Sequence, residues 1–295
     1  MSRTGVLAIH GGPKIRRNPM PARVAFSDLE VDGLMEAVRF YREKDNDPPY
    51  QGIFEQRFCE AFVDFQGEDG FADAVASGTI ACHVALAALG LPRGSEVIIS
   101  PVTDSGPLNA IILQGHLPVV ADSAPDSFNM GVEQFLDRVS DKTRAVIAVH
   151  AAGAPLEIDL LVEEARKRDI FVVEDCSQAP GAIWNGRRVG VYGDIAAFST
   201  MYRKTLTAGA SGGLVYTNNQ KLYHQALAHA DRGKQTWRTD INQNDPGHAL
   251  FPALNFNTDE LSCAIGIASL TRIQEAIDRR NTFLAYLVDN LPNRS

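Results

Sequence analysis

The chain has 295 residues, 45% of them hydrophobic and 22% charged, with a formal net charge of −8. That length supports a substantial buried core and more than one structural layer. The acidic balance, with the Arg-Arg pairs Arg16-Arg17, Arg187-Arg188 and Arg279-Arg280 isolated from one another, argues against a nucleic-acid surface.

The first residues, 1–22, read as an extended arm marked by glycine and proline. Helical spacing follows in LEVDGLMEAVRFYREK (29–44) and IFEQRFCEAFVDFQG (53–67). The rhythm then changes. ADAVAS (72–77) is a short strand running into the helix SGTIACHVALAALGL (77–91), EVIIS (96–100) a strand, LNAIILQG (108–115) a helix and LPVVAD (117–122) a strand. TRAVIAVH (143–150) is a strand, LEIDLLVEEARKRD (156–169) a helix and IFVVEDCS (170–177) a strand, with DIAAFST and GGLVYTNN completing the set. Short β-branched runs alternating with longer helical patterns predict an α/β domain around a mostly parallel sheet. The last two strands are joined by a loop rather than a helix, so one of them can pair antiparallel.

Beyond residue 219 come a helix, QKLYHQALAHAD, and a polar loop region, WRTDINQNDPGHALFPALNFN. Residues 258–291 then keep helical spacing throughout, with Thr258 as the expected N-cap and Asp259 and Glu260 suited to the positive helix end. No apolar run reaches membrane-spanning length, and the N-terminus has no signal-peptide apolar stretch. Cys59, Cys82, Cys176 and Cys263 are scattered with no metal-finger spacing. A reduced, cytoplasmic protein without a metal site is expected.

Ligands of open α/β sheets collect beyond the carboxyl ends of the strands, and three features fall there. Ser77-Gly78-Thr79 joins a strand to a helix N-terminus, which suits either an anion such as phosphate or a plain N-cap. Asp175 ends an apolar strand and needs a partner, which a cap or a salt bridge would also provide. Glu174 faces the opposite side of the same strand, so the two acids are not a catalytic pair. Lys204 lies in FSTMYRKTLTAGASGG and is either an exposed lysine or an amine put to use. An anion site, a strand-end carboxylate and a loop lysine together are what pyridoxal 5'-phosphate (PLP) requires of a protein.

SGTIACHVALAALGLPRGSEVIIS and VVEDCSQAPGAIWNGRRVGVYGDIAAFST resemble two ordered blocks of the DegT/StrS family of PLP-dependent sugar and cyclitol aminotransferases. LAIHGGPKIRR resembles an N-terminal arm found in several members. The resemblance implies a fold-type-I PLP transferase, three-layer α/β/α, plus the start of a smaller C-terminal domain. It divides the chain into the arm (1–22), a large cofactor-binding domain (23–245), and a loop with one long helix (246–295). That helix begins a C-terminal domain otherwise absent, whether by truncation or in a naturally shortened member. Carried over position by position, it makes Lys204 the Schiff-base lysine and Asp175 the partner of the pyridine nitrogen. Gln178 becomes the neighbour of the ring's 3'-oxygen, and Gly78, Thr79 and Ser199 the phosphate site. Asn255 is the residue offered to a neighbouring subunit's phosphate, which implies a homodimer with composite sites.

The implied reaction moves an amino group from glutamate or glutamine to a keto-sugar or keto-cyclitol. Within this fold the alternatives are a sensor or inactive member and a sugar dehydratase, a branch that carries histidine in place of the lysine. The chain also departs from the family pattern. Val102 and Asp104 occupy the positions of aromatic residues over the cofactor ring, so Asp104 borders the cofactor. The NYR pattern reads Asn255-Phe256-Asn257, GEGG becomes GASGG, and His150-Ala151-Ala152-Gly153 stands for His-x-Tyr-Gly.

Overall fold

The structure, a computed structural model, describes residues 6–14, 16–19 and 26–291. Of the arm expected over residues 1–22, positions 1–5, 15 and 20–22 therefore lie outside the described residues. In chain order the helices are α1 (Asp28–Glu43), α2 (Ile53–Gln66), α3 (Gly78–Ala88), α4 (Ser105–Leu113), α5 (Val132–Leu136), α6 (Ile158–Arg166), α7 (Gln220–Ala230), α8 (Glu260–Thr271) and α9 (Ile273–Asn290). The strands are β1 (Phe71–Val75), β2 (Glu96–Ile99), β3 (Leu117–Val120), β4 (Thr143–Val149), β5 (Phe171–Asp175), β6 (Ile183–Trp184), β7 (Arg187–Arg188), β8 (Ile195–Ser199) and β9 (Gly213–Thr217).

Seven strands form one sheet in the order β1-β9-β8-β5-β4-β2-β3. The inner pairs β2–β3, β2–β4, β4–β5 and β5–β8 are parallel, and β9 runs antiparallel to both β1 and β8. The strand after the loop is thus the antiparallel one that the missing crossover helix called for. Alternation along the strands splits the core in two. Ala145, Ile147 and Val149 of β4 pack with α3, α4 and α7, while Val146 and Ala148 pack with α1, α2, α5, α6 and α8. The sheet is the middle of three layers.

Small residues let helices on one face approach closely. A Cβ on Gly33 of α1 would lie 3.0 Å from the Ala264 carbonyl of α8, and one on Gly266 would lie 2.6 Å from the Phe58 ring of α2. The α1 start is held by Ser27, whose N–H and hydroxyl both donate to Glu30. The Arg272 guanidinium also donates to Glu30, at 2.6 Å.

Three local expectations are corrected. The single helix over 258–291 is two, because Arg272 leaves helical geometry (φ −109°, ψ 6°) where it pairs with Glu30. Asp259, not Thr258, caps α8, its carboxylate accepting from Ser262 N at 2.8 Å. The helix expected from residue 108 begins at Ser105, since Pro107 sits in the first turn, where no N–H is needed. The hairpin β6–β7, which the sequence reading did not include, turns at Asn185 and Gly186, both with positive φ, the conformation an Asn-Gly pair favours.

Candidate active site

Four stretches far apart in sequence meet beyond the carboxyl edge of the sheet and line a cleft of about 180 Å³. Gly78 and Thr79 come from the start of α3, Asp175 and Gln178 from the end of β5, Ser199 from the end of β8, and Lys204 from the loop that follows. Asp104 borders the cleft from the start of α4, with Cys82, Met201 and Ser211.

The α3 start is built for close approach. Ser77 caps the helix, its hydroxyl accepting from Ile80 N at 3.2 Å, which leaves the Gly78 and Thr79 N–H groups with no intrahelical acceptor. A Cβ on Gly78 would lie 2.4 Å from Ser199 Cβ, so only glycine lets the Ser199 hydroxyl sit against the helix N-terminus. The closing glycines of GASGG answer the same demand. A Cβ on Gly213 would meet the Ser77 carbonyl at 2.4 Å, and one on Gly212 would meet Thr200 Oγ1 at 2.4 Å. Gly78→Ala is expected to force α3 and β8 apart and to cost about 1–3 kcal/mol of stability, measured by urea denaturation.

Asp175 is 4% exposed, and its Oδ1 accepts from Ser177 N at 3.0 Å. Burial pushes its carboxyl above the usual range, while the Ser177 hydrogen bonds and the charge of Lys204 pull partly back. A buried carboxylate at the edge of a cleft is suited to hold a cationic group against it. Cys82, on the same side of the sheet, is held as a thiol by burial and then by the charges of Asp175 and Asp104.

Gln178 Oε1 accepts from Ala152 N at 2.7 Å, which leaves its Nε2 as a donor beside the cleft. Ala152 has φ +54°, so the turn after β4 holds a left-handed alanine at the position where the His-x-Tyr-Gly pattern carries its tyrosine. Asp104 is the N-cap of α4, its Oδ1 accepting from Gly106 N at 2.9 Å. Its carboxylate is thus engaged with its own helix start.

The Lys204 loop is braced from beyond residue 245. Arg280 of α9 donates to Thr205 Oγ1, Thr207 N donates to Ser269 Oγ of α8 at 3.0 Å, and Gly209 lies against Ser262. These braces were not legible, because contacts between residues so far apart in the chain leave no local period. Asn255 is not in the cleft. It is exposed, bridges to Asp231, and accepts from Asn257 Nδ2 at 2.8 Å.

Among the described residues one His/Cys/carboxylate group is compact enough for a metal: His150, Glu174 and Cys176, all buried. Its chemistry is structural. Glu174 already accepts from Gly190 N, Tyr192 N and Gly193 N at 2.7, 2.8 and 2.7 Å and from His150 Nε2 at 3.1 Å. Leu156 N donates to His150 Nδ1, placing the ring proton on Nε2 toward Glu174. Glu174 therefore ties the loop after β7 to the sheet, on the face opposite Asp175.

Beyond the strand ends of a three-layer α/β fold, a lysine, a buried aspartate and the start of a helix thus meet in one cleft. The chain belongs to the DegT/DnrJ/EryC1/StrS aminotransferase family, whose pattern it matches over residues 41–295. It is 34% identical over 234 residues to GDP-perosamine synthase of Escherichia coli O157:H7, a match covering 78% of this chain and 61% of that protein. It is 31% identical to L-glutamine:2-deoxy-scyllo-inosose aminotransferase of Micromonospora echinospora, over 97% of this chain and 69% of that one. Among solved structures, S. venezuelae DesV in complex with a ketimine intermediate superposes with a TM-score of 0.82 at 26% identity, covering 92% and 70% of the two chains. The chain thus spans about three fifths of the perosamine synthase it matches. Among the described residues no helix is long and apolar enough to cross a membrane.

Proposed function

We propose that this chain carries the cofactor-binding part of a cytoplasmic PLP-dependent aminotransferase, moving an amino group from glutamate or glutamine to a keto-sugar or keto-cyclitol. The observation that carries this is the convergence of Gly78, Thr79, Asp175, Gln178, Ser199 and Lys204 on one cleft. The donor set fits the cofactor. With no side chain at Gly78, the Ser199 hydroxyl packs against the start of α3, and its oxygen and the free α3 N–H groups border the same cleft, a cradle for phosphate. When bound, PLP supplies an electron sink and a carrier for the amino group.

The chain's own residues have distinct tasks. Gly78, Thr79 and Ser199 hold the phosphate. Asp175, kept dry at the strand end, holds a proton on the ring nitrogen. Gln178 Nε2 donates to the 3'-oxygen, and Asp104 keeps α4 in register beside the cleft. Lys204 Nζ would be the covalent anchor of the cofactor and the group that moves the proton at the substrate carbon. At about 180 Å³ the cleft is smaller than the roughly 300–1,000 Å³ common for small-molecule sites. That supports a homodimer in which a second subunit's Asn255 completes the phosphate site, as its exposure here allows.

Asp175→Asn keeps the side-chain volume and removes the charge. It is expected to lower kcat about a hundred- to a thousandfold, with the circular-dichroism spectrum unchanged. The reaction itself is tested by incubating the PLP-loaded protein with glutamine or glutamate and a panel of keto-sugars and keto-cyclitols. An amine product is expected by mass spectrometry, and none from any pairing would contradict the proposal.

A further inference from the structure

A second cavity, of about 510 Å³, lies away from the cleft, against the outer edge of β1 between α2 and α7. It falls within the volume range of small-molecule sites. Four carboxyl groups line it (Glu55, Glu60, Asp64 and Asp73) and no lysine or arginine does. Asp73 is 3% exposed, and its Oδ2 has no hydrogen-bond partner. Gln51 Nε2 and Thr236 Oγ1 line the same cavity and are also buried without partners. Three of the eight such atoms among the described residues therefore converge on one space. Buried polar atoms are nearly always paired, so this concentration marks groups that await a ligand.

The walls are aromatic. Phe71 and Tyr223 stack at 5.0 Å, and Trp237 lies flat on His224 at 4.5 Å. Burial lowers the His224 pKa, so that ring is a neutral platform. Carboxylates with aromatic faces and no competing cation form the environment that binds organic ammonium groups. A metal ion fits less well: among the described residues no three of these carboxyls come close enough to share one. The unpaired set also asks for more than charge. Gln51 Nε2 needs an acceptor, and Thr236 Oγ1 can give or take a hydrogen bond, as a hydroxyl on the ligand would supply.

We propose that this cavity binds a small hydroxylated primary amine, its ammonium on Asp73 and its hydroxyls on Gln51 and Thr236. Burial and neighbouring carboxylates act in the same sense, pushing Asp73 up to about 7 and Glu55 up to about 9. A cation placed between them relieves both. The ligand class includes the product that the proposed amino transfer would release, but the site does not depend on that reading.

The chain has two tryptophans, Trp184 and Trp237, so Trp184→Phe leaves a reporter at the cavity wall. D-Glucosamine, added to this protein without PLP, is expected to change Trp237 fluorescence saturably. Glucose, which lacks the ammonium, is expected to leave it flat. Asp73→Asn should weaken the glucosamine response at least tenfold, and Thr236→Val several-fold, with the thermal midpoint showing that both remain folded. Lys204→Ala should leave the response intact, which separates this site from the cleft. No saturable response, an equal response to glucose, or an unchanged response in Asp73→Asn would overturn the proposal. So would a loss of self-association in Asp73→Asn without glucosamine binding, since the cavity would then seat a basic side chain of a second copy.

Discussion

Glu260→Ala is expected to destabilise the chain by about 3–5 kcal/mol, read as a lower urea midpoint at unchanged slope. Glu260 opens α8 yet is 1% exposed, because its carboxylate reaches the N-terminus of α2. It accepts from Phe54 N and Glu55 N, both at 2.9 Å, and from the Tyr41 hydroxyl at 2.5 Å. Gly52, the residue before α2, leaves the room: a Cβ there would lie 2.6 Å from the carboxylate. The negative charge meets the positive end of the helix dipole. Burial and the carboxylate together push the Tyr41 hydroxyl up to about 12, so it remains a donor. Alanine would strand two buried N–H groups and a phenol, whereas Glu260→Gln retains an accepting oxygen and should cost roughly half as much. A loss below about 1 kcal/mol for the alanine variant would show that water replaces the carboxylate and that α8 is not the brace of α2.

Lys204→Ala is the second large effect, expected to lower amino transfer roughly a thousandfold or more. Its stability should change little, since Lys204 is only half-buried and its loop is held by Arg280 and Ser269. The split matters: kinetics should collapse while the thermal midpoint stays within a few degrees. Activity within tenfold of the parent would remove Lys204 from the chemistry.

The site was more legible than its supports. Ser77-Gly78-Thr79, Asp175 and Ser199 could be placed because each sits where a local pattern changes from strand to helix or loop. Lys204 depended on those neighbours, and on the resemblance, since its own segment has no period. Glu260 and Arg280 were read only as parts of a helix. Glu260 instead reaches back more than 200 residues to α2, and Arg280 reaches the Lys204 loop. Asp104 drew attention as the wrong residue type for an aromatic position, yet an aspartate three residues before a first-turn proline is an N-cap signal, and that is the role the structure gives it. The acidic cavity left no trace in the sequence, because Glu55, Asp73 and Thr236 belong to three different elements.

The central claim is that the cleft holds PLP on Lys204. Titrating the purified chain with PLP and recording its absorption spectrum tests this most directly. A saturable visible band is expected, absent in Lys204→Ala and bleached by glutamine or glutamate. No band in the parent protein, or the same band in Lys204→Ala, would contradict it.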